Sequence, residues 1–315
     1  MIFSQEEFNS RITKVKESMN KKGLEVLLTT DPSNMNYLTG YDGWSFYVPQ
    51  GVILSIDEDQ PFWFGRKQDS NGARITTYLN EENIFGYPEN LIQSPPSHPY
   101  DFVVELFKDK KWARKNIGVE MDSYYYTAEN HKRLKDNLEN AKFINAHLLI
   151  NWVRYIKSEN EIKYMKDAGT LVKAGMQTAF DSIKEGVKQS TVAGKIQNTL
   201  IAGNEETQMG GEYAGLGLIL ASGRSASASH LTPSEKKFEN NEGTIIELGG
   251  VKHRYHCALS RTVYIGKPDT KISDTLKVTS EGIERALEQT KPGNSCHDVA
   301  VAFWSVLEKY GLEKE

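Results

Sequence analysis

Residues 245–262 read IIELGGVKHRYHCALSRT. The stretch has the pattern of two strands joined by a tight connection. It holds one carboxylate, Glu247, in its first half, and Ala258 eleven positions later in its second. Glu247 interrupts the run TIIELGG, whose apolar and small residues suit a buried side of a sheet, and a buried lone carboxylate is costly unless it is paired or functional. The alternative is a glutamate on the solvent face of an edge strand. Its neighbours Ile246 and Leu248 are both apolar and Gly249 and Gly250 follow, which does not favour that alternative.

Around it lie the other candidates. His253 and His256 are spaced three apart, so on a strand their rings point to opposite faces and do not form a chelating pair. One of them is expected to face the site and the other solvent or a partner, and either Tyr255 or His256 shares the pocket with Glu247. Upstream, His230 sits in ASGRSASASHLTPS, where small residues allow close approach of a ligand; a histidine there serves as general acid or base, or is an exposed loop residue.

Further outward the chain divides in two. Over residues 1–150 helical and extended patterns alternate: a helix with a Ser4–Glu7 capping box, then EVLLTT, GVILSID and PFWFG as strands, followed by helix, strand, helix and strand to KFINAH. This is an α/β domain with helices over a mixed sheet. From 151 to 315 the order becomes helix, helix, strands, helix, an α+β domain. Its first helix opens at a Ser158–Glu161 capping box and is expected to close at Gly186.

Within this second domain KEGVKQSTVA (184–193) and KPGNSCHDVA (291–300) share Lys, Gly, Val and Ala 107 residues apart, each between a long helix and a second helix. A duplicated helix-helix-strand-strand unit follows from this. Its second set of strands would begin near position 322, so the domain is expected to be incomplete at its C-terminus.

In the first domain DPSNMNYLTGYDGWSFYVPQG gathers Tyr37, Tyr41, Trp44, Phe46 and Tyr47 among turn residues. They read either as core or as a stacking surface for a cation, with Trp44 the natural candidate. GRKQDSNGARITTY places Arg66, Lys67, Asp69 and Arg74 together, a carboxylate site or a solvated face.

Composition narrows the function classes. With 38% hydrophobic and 25% charged residues, and no apolar run long enough to span a bilayer, no membrane partner is expected. A net charge of −4 provides no basic field for nucleic acid. Two isolated cysteines build no disulfide framework, and the N-terminus lacks the marks of a secretory signal, so a cytoplasmic location is expected.

The stretches DPSNMNYLTGYDGWSFYV, GRKQDSNGARITTY, GYPENLIQSPPSHPYDF, IGVEMDSYYY, NWVRYIKSENEIKYM, SHLT and RYHCALSRTVYIGKP, spanning 31–268, resemble the pita-bread peptidase family, whose members include methionine aminopeptidase, prolidase and creatinase. The resemblance implies a creatinase-like N-terminal α/β domain and a duplicated pita-bread α+β domain. Metal-dependent members carry an Asp on the first strand and another eleven residues later; here these places hold Glu247 and Ala258. Alanine has no ligand atom, so the resemblance points to the creatinase-like branch that needs no metal or other cofactor. That branch includes enzymes that open the cyclic amidine ectoine. It implies a small-molecule substrate (ectoine, hydroxyectoine or a creatine-like amidine), with Glu247 as nucleophile or base and His230 as acid or base. Trp44, Phe46, Tyr47, Tyr255 and His256 would contact substrate, within a homodimer whose active site is shared across subunits. A metal-dependent Xaa-Pro peptidase and a non-catalytic binding module, as in a histone chaperone, are the competing readings.

Overall fold

The computed structural model describes residues 1–228 and 230–314; Ser229 of the SHLT stretch and Glu315 lie outside them. The chain forms two compact units, Met1–Ile162 and Lys163–Glu315.

The first unit is built on a six-stranded mixed sheet. Its strands are β1 (Val26–Thr29), β2 (Gly51–Ser55), β3 (Phe62–Arg66), β4 (Ile84–Tyr87), β5 (Asn116–Val119) and β6 (Lys142–Asn145), in the order β4-β3-β2-β1-β5-β6. β2 pairs antiparallel with β1 and with β3, and the remaining pairings are parallel. β1 is wholly buried because both faces are covered. Leu27 packs into one core with Ile12, Val15 and Met19 of helix α1 (Gln5–Lys21) and Leu38 of α2 (Pro32–Thr39). Val26 and Leu28 pack into a second core with Val103 and Phe107 of α4 (Pro99–Asp109) and Leu134 of α5 (Ala128–Asn137). Each fully buried side chain of this size contributes about 1.5–3 kcal/mol, so the period-2 alternation of β1 fixes which helices lie on which face. Ser4 caps α1 through its hydroxyl, which accepts the Glu7 N–H at 3.3 Å. Short helices α3 (Ser70–Thr76) and α6 (Leu149–Val153) complete the unit.

α7 (Glu159–Ser182) opens at the capping box the sequence shows: the Ser158 hydroxyl accepts the Glu161 N–H at 3.2 Å and the Glu161 carboxylate accepts the Ser158 N–H at 2.7 Å. It stops short of Gly186, whose N–H donates instead to the Phe238 carbonyl at 2.9 Å, in left-handed backbone at φ 82°. α8 (Gln189–Ala202) follows.

In the second unit α7 and α8 cover one face of an antiparallel sheet ordered β7-β8-β9, made of β7 (Gly215–Ser222), β8 (Glu242–Lys252) and β9 (Tyr255–Ile265). Val172, Met176, Ile196 and Leu200 of the helices meet Leu218, Leu220, Ile246 and Leu248 of the sheet. α9 (Thr270–Gln289) and α10 (Cys296–Lys309) form a hairpin, with Val278 packed against Val306 and Leu307. The stretches 184–193 and 291–300 thus each lie at a helix–helix connection.

Candidate active site

The β8–β9 hairpin carries the candidate residues Glu247, Tyr255 and His256, and its register decides which side chains share a face. Glu247 is the Cα partner of Ser260, Gly249 of Ala258 and Val251 of His256, while Ile219 of β7 lies on the other side of Glu247. Side chains two apart share a face. Ile246 and Leu248 point into the helix-covered core, so Glu247 points the other way, to the face that α7 and α8 leave uncovered. Glu247 is half-buried there, and among the described residues its carboxylate takes no hydrogen bond or ion pair. Such a carboxylate keeps its lone pairs available for chemistry.

The two glycines after it have separate causes. A Cβ on Gly250 would lie 2.2 Å from the Ala168 carbonyl oxygen, so α7 packs its backbone directly on the strand there. A Cβ on Gly249 would lie 2.5 Å from the Gly215 carbonyl oxygen, because β7 approaches equally closely. Gly215, Gly249 and Ala258 therefore make a row with almost no side chain beside Glu247. His256 stands at the far end of this trough. Its ring is partly exposed, yet the surrounding protein desolvates it, and with the Arg254 guanidinium this holds its pKa below the ordinary histidine value.

Tyr255 is placed on the opposite face. Its ring lies 5.9 Å from that of Tyr164 of α7, on the helix side of the sheet with Cys257 and Leu259. The register thus brings His256 rather than Tyr255 onto the face of Glu247. His253 is not on a strand at all: it and Arg254 form the two-residue turn between Lys252 and Tyr255, at φ 49° and 63°.

His230 is exposed and has left-handed backbone at φ 63°. Its loop is held on one side by the 3-10 turn Gly223–Ser227 and on the other by Ser234, whose N–H and hydroxyl both donate to the Gln189 side chain at the start of α8. Among the described residues no hydrogen bond or ion pair joins His230 to Glu247.

The first unit holds the aromatic group. Tyr37 and Tyr41 are core: the Tyr41 ring lies 5.2 Å from Trp63, and its hydroxyl donates to Gln50 at 3.1 Å. Trp44 and Tyr47 are 66% and 70% exposed, which separates them from the core reading. Phe46 is half-buried between them, 5.0 Å from Trp44 and 5.7 Å from Tyr125. Phe46, Tyr47, Tyr124 and Tyr125 wall a cavity of about 120 Å³ that Gln50 and Asn130 also line. Both arginines of the basic stretch nearby are paired with carboxylates. Arg66 pairs with Glu89 at 2.7 Å while reaching the Tyr47 hydroxyl at 3.3 Å, and Arg74 pairs with Glu81 at 2.6 Å.

A two-ion centre does not fit the donors present. Among the described residues no three His, Cys, Asp or Glu side chains converge as metal ligands, and Ala258 offers no donor beside Glu247. No described helix is long and apolar enough to cross a membrane. The sequence reading passed over Glu212 and Tyr213, which reach the hairpin tip from before β7. The signal available for them was QMGGEY, a glycine pair delivering an acid and an aromatic.

Comparison with known proteins accounts for this architecture. Residues 11–156 match the creatinase/prolidase N-terminal domain and residues 163–315 match metallopeptidase family M24. The chain is 41% identical over 317 residues to an ectoine hydrolase of Halomonas elongata, covering 99% of this chain and 79% of that protein. It is 25% identical over 304 residues to a Xaa-Pro dipeptidase of Pyrococcus horikoshii, covering 96% of this chain and 78% of that one. In fold it is similar to a prolidase from Thermococcus sibiricus, with a TM-score of 0.82 at 20% identity over 96% of this chain and 78% of the other. The chain belongs to the M24 family, as a hydrolase that joins a creatinase-type N-terminal domain to a pita-bread domain.

Proposed function

We propose that the chain hydrolyses a carbon–nitrogen bond of the cyclic amidine ectoine, giving N-acetyl-2,4-diaminobutyrate, by a route in which no metal takes part. The observation that carries the reading is Glu247, half-buried and without a partner among the described residues, beside a trough where Ala258 replaces any second carboxylate. The 41% identity to an ectoine hydrolase supports the same substrate class.

The chemistry follows from the substrate's charge. An amidinium carbon is already electrophilic, so a carboxylate adds to it directly or takes a proton from a water that adds. The electron pair of the C=N bond moves to nitrogen. His230 then delivers a proton to the departing nitrogen and the C–N bond breaks. Where water has added, its oxygen becomes the amide carbonyl. Where Glu247 has added, a water attacks the glutamyl carbon and breaks its bond to the bridging oxygen, which stays as the amide carbonyl while the Glu247 carboxylate is restored. The bare row Gly215, Gly249 and Ala258 leaves room for the ring, and His256, held toward its neutral form, borders that space. Trp44, Phe46 and Tyr47 hold the cation by their ring faces, presented by the second subunit of a homodimer.

The test incubates the protein with ectoine or with a Xaa-Pro dipeptide, each with and without a chelator, and follows products by proton NMR. Acetylated diaminobutyrate formed at the same rate with chelator is expected. Dipeptide cleavage that requires manganese or zinc, with no ectoine turnover, would establish the peptidase reading instead.

A further inference from the structure

The chain entering β7 carries the two residues that hold the hairpin tip. After α8, Gly210 and Gly211 press back on its last turn. A Cβ on Gly210 would lie 2.6 Å from the Ile201 carbonyl oxygen; one on Gly211 would lie 2.3 Å from that of Leu200 and 3.0 Å from that of Val251. Only bare backbone passes through this gap. The Lys252 ammonium fastens it further by donating to the Gly210 carbonyl at 3.0 Å. The next two residues, Glu212 and Tyr213, are thereby delivered to the β8–β9 turn.

That turn has a conformational cost. His253 and Arg254 both take left-handed backbone, where an L side chain is disfavoured, and two-residue turns of this kind favour Asn-Gly. Glu212 offsets the cost with charge-assisted hydrogen bonds. Its carboxylate accepts the His253 N–H at 2.8 Å and the Arg254 N–H at 3.2 Å, and the His253 Nδ1 lies 2.8 Å from the same group. The Tyr164 ring closes over His253 edge-on at 4.7 Å. Two residues past the turn, the Tyr213 hydroxyl shares a hydrogen bond with His256 Nε2 at 3.2 Å, their rings 5.9 Å apart.

We propose that Glu212 and Tyr213 are a positioning pair: Glu212 locks the turn that starts β9, and Tyr213 sets the orientation of the His256 imidazole on the face of Glu247. The functional part of this rests on the reading of that face as the reacting surface. Neither residue touches the reacting atoms. Each acts through the hairpin, across a sequence separation of about forty residues.

The experiment combines nitrogen-15 spectra of the histidine imidazoles of the whole chain with ectoine kinetics, for Tyr213→Phe, Glu212→Gln and Glu212→Gln in a chain that also carries His253→Asn and Arg254→Gly. Tyr213→Phe is expected to move the His256 Nε2 resonance while leaving His253 in place, and to raise KM for ectoine at least fivefold with little change in kcat. Glu212→Gln is expected to perturb both histidines, and the Asn-Gly turn, which needs no clamp, is expected to restore the His256 signal. His256 resonances and KM at wild-type values in Tyr213→Phe would overturn the proposal, even if Glu212→Gln fails to fold. So would a His256 signal that the Asn-Gly turn leaves displaced. Should the wild-type protein not turn over ectoine at all, the shifted imidazole signals would still uphold the positioning pair, and the substrate reading alone would fall.

Discussion

Gly249 and Ala258 are Cα partners across the β8–β9 ladder, one step of the same face from the Glu247–Ser260 pair. The position opposite Gly249 thus carries a methyl group at the place from which a carboxylate would lie diagonal to Glu247. Diagonal Cβ atoms on such a ladder are roughly 7–8 Å apart, within reach for two carboxylates to oppose each other's ionisation. Ala258→Asp is therefore expected to cut ectoine turnover by roughly tenfold or more and to move the acidic limb of the pH–rate profile upward. An unchanged profile would remove Ala258 from the site.

Gly250 sits where α7 touches the sheet. A Cβ there would lie 2.2 Å from the Ala168 carbonyl oxygen and 2.8 Å from the Val172 nitrogen, both main-chain atoms that cannot swing aside. Gly250→Ala is expected to lower stability by about 1–3 kcal/mol, read as a fall in the urea midpoint. Gly186→Ala also lowers stability, but through its left-handed backbone, since no atom lies within contact of its would-be Cβ.

Trp44 projects from the first unit with most of its surface exposed. Trp44→Ala is expected to leave the urea midpoint within about 0.5 kcal/mol of wild type, while raising KM for ectoine through loss of a ring face for the cation. A raised KM for a cationic substrate with unchanged stability separates a binding aromatic from a core aromatic. Tyr41→Ala provides the contrast, because Tyr41 is buried against Trp63 and is expected to destabilise by about 3–5 kcal/mol.

His98, His131 and His256 are each held below the ordinary histidine pKa, chiefly by desolvation. The unfolded chain therefore binds more protons than the folded one once pH falls below about 6.5. The stability these neutral rings contribute is fully present above that value and is lost as pH falls through their lower folded values. Thermal midpoints measured from pH 8 down to pH 5 are expected to stay level and then drop on the acid side. His131→Phe is expected to flatten part of that drop, since His131 meets Phe143 edge-on and gives up only the Tyr126 hydrogen bond.

Local chemistry made much of this fold legible in the sequence. The Ser158–Glu161 capping box needs only neighbours three apart, and it is present as read. The continuous apolar run at Val26–Thr29 likewise announces a strand buried on both faces. Strand parity was the wrong ground for separating His253 from His256, because His253 lies in the turn; it is the turn, and the Glu212 carboxylate beside it, that keeps the two rings apart. Parity alone, however, does not say which face meets a helix. That depended on Tyr164 of α7 packing against Tyr255, a contact between residues about ninety apart. The aromatics of the first unit were undivided in the sequence because Tyr41 and Trp44 share composition and neighbourhood; the Tyr41–Gln50 hydrogen bond and the Trp63 contact make one of them core. QMGGEY marked Glu212 only as an acid behind a glycine pair, because the strained turn it clamps lies about forty residues downstream.

In the proposed function Glu247 performs the chemistry. Glu247→Gln keeps the size and hydrogen-bonding reach of the side chain and removes only its charge, so it isolates the nucleophile or base. Ectoine turnover by the purified variant, followed by the appearance of acetylated diaminobutyrate, is expected to fall by about 10²–10⁴-fold, with the urea midpoint at or above that of wild type because a half-buried charge without a partner among the described residues is gone. Full ectoine hydrolysis by Glu247→Gln would contradict the account.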